Sequence, residues 1–95
     1  MSTMDAYVEK AKAQIIEWNA EIDKLKAKAM RAHADSKIQY ENTIADLEKK
    51  RLELLKYLDD MIKKGEKAFE ALKSGSDRAM SDMKSAVDKA ISEIK

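Results

Sequence analysis

Residues 4–32 read MDAYVEKAKAQIIEWNAEIDKLKAKAMRA, and the spacing of their apolar members decides the fold. Met4, Val8, Ala11, Ile15, Trp18, Ile22, Leu25, Ala29 and Ala32 recur at alternating steps of four and three. That is the a/d seam of a coiled coil, held for about four heptads. Ser2 with Asp5 three residues on forms a capping arrangement, so the helix is expected to start near residue 3. Acids precede bases by three residues at Glu9/Lys12, Glu21/Lys24 and Asp23/Lys26. Such pairs stabilise an isolated helix by a few tenths of a kcal/mol each.

A second regularity lies opposite the seam. Ala6, Ala13, Ala20, Ala27 and Ala34 fall seven apart, on the f position. Two readings compete. Alanine is the best helix former and f positions face solvent, so propensity alone accounts for the stripe. A smooth back face would also let another helix approach closely and enlarge the assembly.

Composition agrees with helices. Ala, Glu, Lys, Leu and Arg fill about half of the 95 positions, there is no Pro, and Gly occurs only at 65 and 75. So few breakers exclude the turns of a sandwich, barrel or doubly wound sheet. A chain this short encloses little volume, which disfavours a large active-site cleft. Without Cys there is no disulfide framework, thiolate zinc site or thiol nucleophile. The 19 Lys and Arg nearly cancel the 18 Asp and Glu, which argues against nucleic acid as a partner because counterion release needs clustered cations. Lys24, Lys26, Lys28 and Arg31 have no acid among them, yet they spread around the helix instead of forming a stripe. The opening Met1 to Tyr7 lacks a signal peptide's basic start and apolar run, and no apolar stretch approaches the roughly 20 residues of a spanning helix. The expected location is cytoplasmic.

Past residue 32 the period changes. From Ser36 to Tyr40 the seam takes a second step of four, a stutter that unwinds a left-handed supercoil. Ser36 and Gln39 also make a capping box, which leaves a hinge open at 33–36. Tyr40, Ile44, Leu47, Leu54, Leu58 and Met61 then continue the stripe, with Arg51 where an apolar residue is due. Leu52, Leu55 and Ile62 widen it toward the broader face of a bundle. From residue 58 onward an eleven-residue unit repeats: LDDMIKKGEKA (58–68), FEALKSGSDRA (69–79), MSDMKSAVDKA (80–90) and the shortened ISEIK (91–95). Eleven residues make three turns, so the stripe runs nearly straight. Its remaining seam position, at 65, 76 and 87, holds Gly65, Ser76 and Val87.

The fold expected is all-α: a single domain over 1–95, built on one long heptad and hendecad coiled-coil helix from about 3 to 73. Hinges are allowed at 33–36 or 65. The segment Ser74-Gly75-Ser76 supplies a C-cap glycine and N-cap candidates, so a break is placed at 74–76, and a short amphipathic helix over about 77–94 folds back into an oligomeric bundle. A lone long helix cannot bury its own stripe, so association with copies of itself is expected, as a closed bundle or a filament. The expected interface is Met4, Val8, Ala11, Ile15, Trp18, Ile22, Leu25, Ile44, Leu47, Leu54, Leu58, Met61, Phe69, Leu72, Met80, Met83, Val87, Ile91 and Ile94.

No catalytic constellation emerges. His33 is the only imidazole and has no second ligand at metal spacing on its face, Asp35 lying on another side of the helix. Asp59 and Asp60 are adjacent but diverge around the helix, and each has a lysine four residues on, Lys63 and Lys64. There is no glycine-rich phosphate loop, nucleophile elbow or HExxH. Met80 and Met83 read as core fillers, and Trp18 at a d position as an interface residue. No enzyme activity, cofactor or metal is therefore expected.

The strings MSTMDAYVEKAKAQIIEWNAEIDKLKAKA (1–29) and KSGSDRAMSDMKSAVDKA (73–90) resemble small bacterial coiled-coil proteins grouped as a cyanobacterial-type stress-response family. Asp5-Ala6-Tyr7 and Glu17-Trp18-Asn19-Ala20 carry most of the likeness, since heptads do not force them. Members often have an aromatic residue at the start of each terminal repeat; Phe69 keeps one, while Met80 and Ile91 depart. The resemblance implies a non-enzymatic helical protein linked to stress and transfers no catalytic residue. The expected function is a self-assembling coiled-coil protein, structural or stress-protective. The alternative is lipid-surface binding through the terminal repeats, which balanced charge and small seam residues disfavour.

Overall fold

A computed structural model describes residues 3–93 and resolves the helical stripe into three helices: α1 (Thr3–Arg31), α2 (Ala34–Lys64) and α3 (Glu66–Glu93). Every described residue except Ala32, His33 and Gly65 is helical. A 31-residue helix spans about 46 Å, close to the 50 Å long axis of a body 20 by 19 Å across. The three helices therefore lie side by side over nearly their whole length. Asn19 opposite Arg51 and Lys26 opposite Glu48 set α1 antiparallel to α2. The packing of Tyr57 on Gly75 does the same for α2 and α3.

The expected long helix from 3 to 73 is not what forms. It is interrupted at Ala32 and His33, at the edge of the 33–36 span left open as a hinge, and at Gly65, the other hinge left open, and it continues where the break was placed. At the first interruption, α1 ends with Lys28 and Arg31 in its last turn, favourable for the helix dipole, and Ala32 N–H closes a tight turn onto Ala29 C=O at 3.3 Å. His33 then takes an extended backbone (φ −67, ψ 158) and its carbonyl accepts Lys37 N–H at 2.8 Å, starting α2. No side chain caps this start. One extended residue suffices, so neither Gly nor Pro is required.

Gly65 makes the second turn alone. Its N–H donates to Met61 C=O at 2.9 Å, closing α2, while its carbonyl accepts Ala68 and Phe69 N–H at 3.1 Å, opening α3. Its φ of 84 and ψ of −171 belong to a region open essentially only to glycine. Gly75 has the opposite role. It lies inside α3, where an added Cβ would stand 2.7 Å from Tyr57 Cε1 and 2.9 Å from its Oη. The break at 74–76 is overturned because this glycine admits a ring instead of ending a helix, and the short helix expected over 77–94 is a 28-residue helix.

The apolar stripe is consumed inside one chain. Val8, Ala11, Ile15, Trp18, Ile22, Leu25 and Ala29 of α1 meet Ile44, Leu47, Leu54, Leu58 and Met61 of α2 and Phe69, Met83, Val87 and Ala90 of α3 in a single core. Met4, Leu72 and Met80 pack against it half-buried. Full burial of such side chains contributes about 1.5–3 kcal/mol apiece. Association is thus not required to cover the seam, and the physical reason for expecting an obligate oligomer disappears. The residues expected to face a second chain face their own chain instead, with two exceptions: Ile91 is 42% exposed, and Ile94 lies outside the described residues. At the end of α3 the eleven-residue phase fails, because Ala90 rather than Ile91 turns inward. The first unit of that repeat also straddles the turn at Gly65 rather than lying on one helix.

Candidate functional site

Three arrangements carry side chains that the core does not account for. The first ties α1 to α3. Tyr7, on the α3 side of α1, brings its hydroxyl to 2.6 Å from Asp77 Oδ1 and 2.9 Å from Ser76 Oγ. A phenol has one proton, which the carboxylate takes as the stronger acceptor; the Ser76 hydroxyl in turn points its proton at Tyr7 Oη. Lys73 bridges to Asp77 Oδ2 at 3.1 Å and stands 5.7 Å from the Tyr7 ring centre. Phe69 meets the same ring edge-on at 5.4 Å. Burial, then the bond to Asp77, pushes the Tyr7 hydroxyl up to about 12. The bond from Tyr7, aided by Lys73, holds the Asp77 carboxyl below its ordinary value.

This cluster explains a serine at a core position. Ser76 is fully buried in a helix face otherwise lined by Phe69, Met83 and Ala90 at multiples of seven residues from it. Its partner on α1 removes the desolvation cost of the hydroxyl. Among the described residues no buried side-chain polar atom lacks a partner. The sequence marked Ser76 as a seam residue and Tyr7 as unforced by the heptads, but their separation of 69 positions hid the pairing.

The second arrangement joins α1 to α2. Arg51, where the stripe lacks an apolar residue, sends Nη1 to Asn19 Oδ1 at 2.6 Å. One turn and more away, Lys26 Nζ reaches Glu48 Oε1 at 2.9 Å, and this bond lowers the Glu48 carboxyl. The basic stretch noted in the sequence is thereby drawn toward acids and carbonyls: Lys24 pairs with Glu21 at 3.4 Å and Arg31 Nε donates to Ala27 C=O at 3.4 Å. On α2, Asp59 pairs with Lys63 at 3.0 Å, which raises the lysine's affinity for its proton and accounts for Asp59 as a helix ion pair.

The third is an apolar outer face. Ile38, Leu52, Leu55 and Ile62 of α2 stay exposed, as do Ile16 and Met30 of α1. Ile62 shares an open cleft with Val8 and Lys12, and the Asn19–Arg51 pair fixes the antiparallel register. In that register Ile16 is level with Leu55. Two-thirds of Ile16 and four-fifths of Met30 face solvent. The alanine stripe is open as well: Ala6, Ala13, Ala20 and Ala34 are exposed and Ala27 is half-buried. His33 lies exposed beside a shallow depression with Lys28, Arg31, Ser36 and Tyr40. Among the described residues no group of His, Cys, Asp and Glu is placed to hold a metal ion. None of their helices is long and apolar enough to cross a membrane.

No protein-family profile, curated protein or solved structure matches this chain.

Proposed function

We propose that the chain is a non-enzymatic, self-associating helical module with a structural or stress-protective role. The observation that carries the reading is the outer face of α1 and α2. Large apolar side chains left in water side by side are the usual mark of a protein contact, whereas singly scattered ones need no explanation. Leu52 and Ile16 are more than three-fifths exposed, Ile62 is half exposed and Leu55 rather more than a third, and the register set by Asn19 and Arg51 brings Ile16 level with Leu55. Arg51 and Asn19, bridged beside this face, add a polar edge of the kind that rims such contacts. The stress setting rests on the resemblance of residues 1–29 and 73–90 alone. Lipid binding through the terminal repeats has less support, because the apolar side of α3 is turned inward and its large exposed apolar residue is Ile91.

Sedimentation equilibrium between 1 and 100 μM (from about Kd to about 100 Kd for a micromolar contact) tests the proposal. The expected result is a mass that rises with concentration, and a monomer when Leu52→Glu and Leu55→Glu are combined, with helical circular dichroism unchanged. A wild-type chain that stays monomeric throughout overturns the reading. Flotation with phosphatidylglycerol vesicles separates the alternative: recovery of the monomer at the lipid layer would replace self-association with surface binding.

A further inference from the structure

The buried positions of α2 (Ile44, Leu47, Leu54, Leu58, Met61) and of α3 (Phe69, Ser76, Met83, Val87, Ala90) follow each other at steps of three, four, seven or eight across Gly65, spacings that would put all of them on one face of a continuous helix. The single glycine of the hairpin sets which faces of α2 and α3 meet. The same residues would also share one side if the two were one helix, since a 3.6-residue period keeps them in phase, so the core pattern suits both forms.

We infer that Gly65 is a hinge between two forms of the chain: the closed hairpin and an extended form in which α2 and α3 fuse and exchange α3 with a second copy. This deepens the self-association reading by naming the partner surface and the moving element. In the extended form the fused helix runs from Ala34 to Glu93, about 90 Å. Two such helices lie antiparallel, so that each α3 packs on the partner's α2 with the contacts it makes at home. The Tyr7 cluster re-forms between chains, and the core is conserved. One residue is the whole link between α2 and α3, and a tight hinge is the common starting point for exchange of this kind.

The space around Gly65 makes the idea testable. An added Cβ meets nothing within 4 Å, so alanine there acts through the backbone alone. It penalises the left-handed turn and favours a continuous helix, by about thirtyfold at each hinge and roughly a thousandfold for the two hinges of a dimer. The chain has no cysteine, so Lys49→Cys with Asp82→Cys places two spin labels on exposed positions. In the hairpin they sit across packed helices with axes about 10 Å apart; in the fused helix 33 residues separate them by about 50 Å. Labelled chain is diluted into excess unlabelled chain of the same hinge sequence, so that only distances within one chain are read.

The expected result for Gly65→Ala is a dimer by light scattering with a long label distance. Insertion of Gly-Asn-Gly after Gly65 relaxes the hinge, and this variant should keep the short distance. A short distance and monomer mass for Gly65→Ala overturn the inference, and so does loss of its helical signal, because the extended form accepts alanine. The outer-face reading fails separately. Leu52→Glu with Leu55→Glu leaves the hinge untouched, so exchange by the Gly65→Ala chain in that background would survive even where surface association is lost.

Discussion

Tyr7 concentrates at one residue what holds α1 to α3. Its hydroxyl serves a buried serine and a carboxylate at once, so Tyr7→Phe strands Ser76 in the core and should destabilise the fold by about 1–3 kcal/mol in urea titration. Adding Ser76→Ala to that variant removes the orphaned hydroxyl and should recover part of the loss; equal additive losses would show that the two groups do not act together. Their pH dependence has opposite signs. Asp77 has a depressed pKa, so its contribution is present above the ordinary carboxylate range and is lost as pH falls through the depressed value. Tyr7 has a raised pKa, so its contribution is complete below pH 10 and is lost as pH climbs toward about 12. Melting curves between pH 9 and 12 should therefore fall more steeply for the wild-type chain than for Tyr7→Phe. None of this was legible locally, because residues 7 and 77 meet only after two reversals of the chain.

The helices themselves were much more readable than their ends. The α1 seam at steps of four and three marks the residues from Val8 to Ala29 that the core buries, because a 3.6-residue period admits few other faces. The turn at Ala32-His33 left only a weak trace, the Ser36 and Gln39 capping box that kept a hinge open at 33–36, since an extended histidine requires no special residue. The two glycines are alike in sequence and opposite in use: Gly65 is needed for its φ, Gly75 for the absence of a Cβ beside Tyr57. That second reason depends on a residue 18 positions away on another helix. It makes a prediction about α2 and α3 as a pair. Gly75→Ala in a Tyr57→Ala background should stabilise by up to about 1 kcal/mol through helix propensity. In the wild-type background the same change displaces the ring, and a double-mutant cycle should show a coupling of about 1 kcal/mol. A coupling of zero would mean that Gly75 has no steric duty.

At the scale of the molecule, the sequence left open which chain covers the stripe. A seam buried by two neighbours in the same chain and one buried by copies have the same period, so periodicity could yield an all-α fold and most interior positions without the number of chains. The structure buries Leu54, Leu58 and Met61 almost completely within one copy. Leu54→Ala should then cost about 2–5 kcal/mol, measured as a loss of stability that does not depend on protein concentration. A loss that vanishes at high concentration would instead mean that copies supply the packing. The outer face was half legible: Leu52, Leu55 and Ile62 were seen as a widened stripe, and the structure places them outside the core rather than against further helices of the chain.

The two connections, of two residues and one, also set a clock. Chains joined by such short links form their contacts locally, and helical bundles of this kind fold in microseconds to milliseconds. Without proline, no slow peptide-bond isomerisation delays the process. Two copies at about 1 μM meet with a typical association constant near 10⁶ M⁻¹s⁻¹, on the order of once a second. Each newly made chain therefore closes on itself long before it finds another. Any exchange of α3 comes afterwards, at the rate at which closed chains reopen, so freshly refolded and long-incubated samples of the same protein should differ in mass.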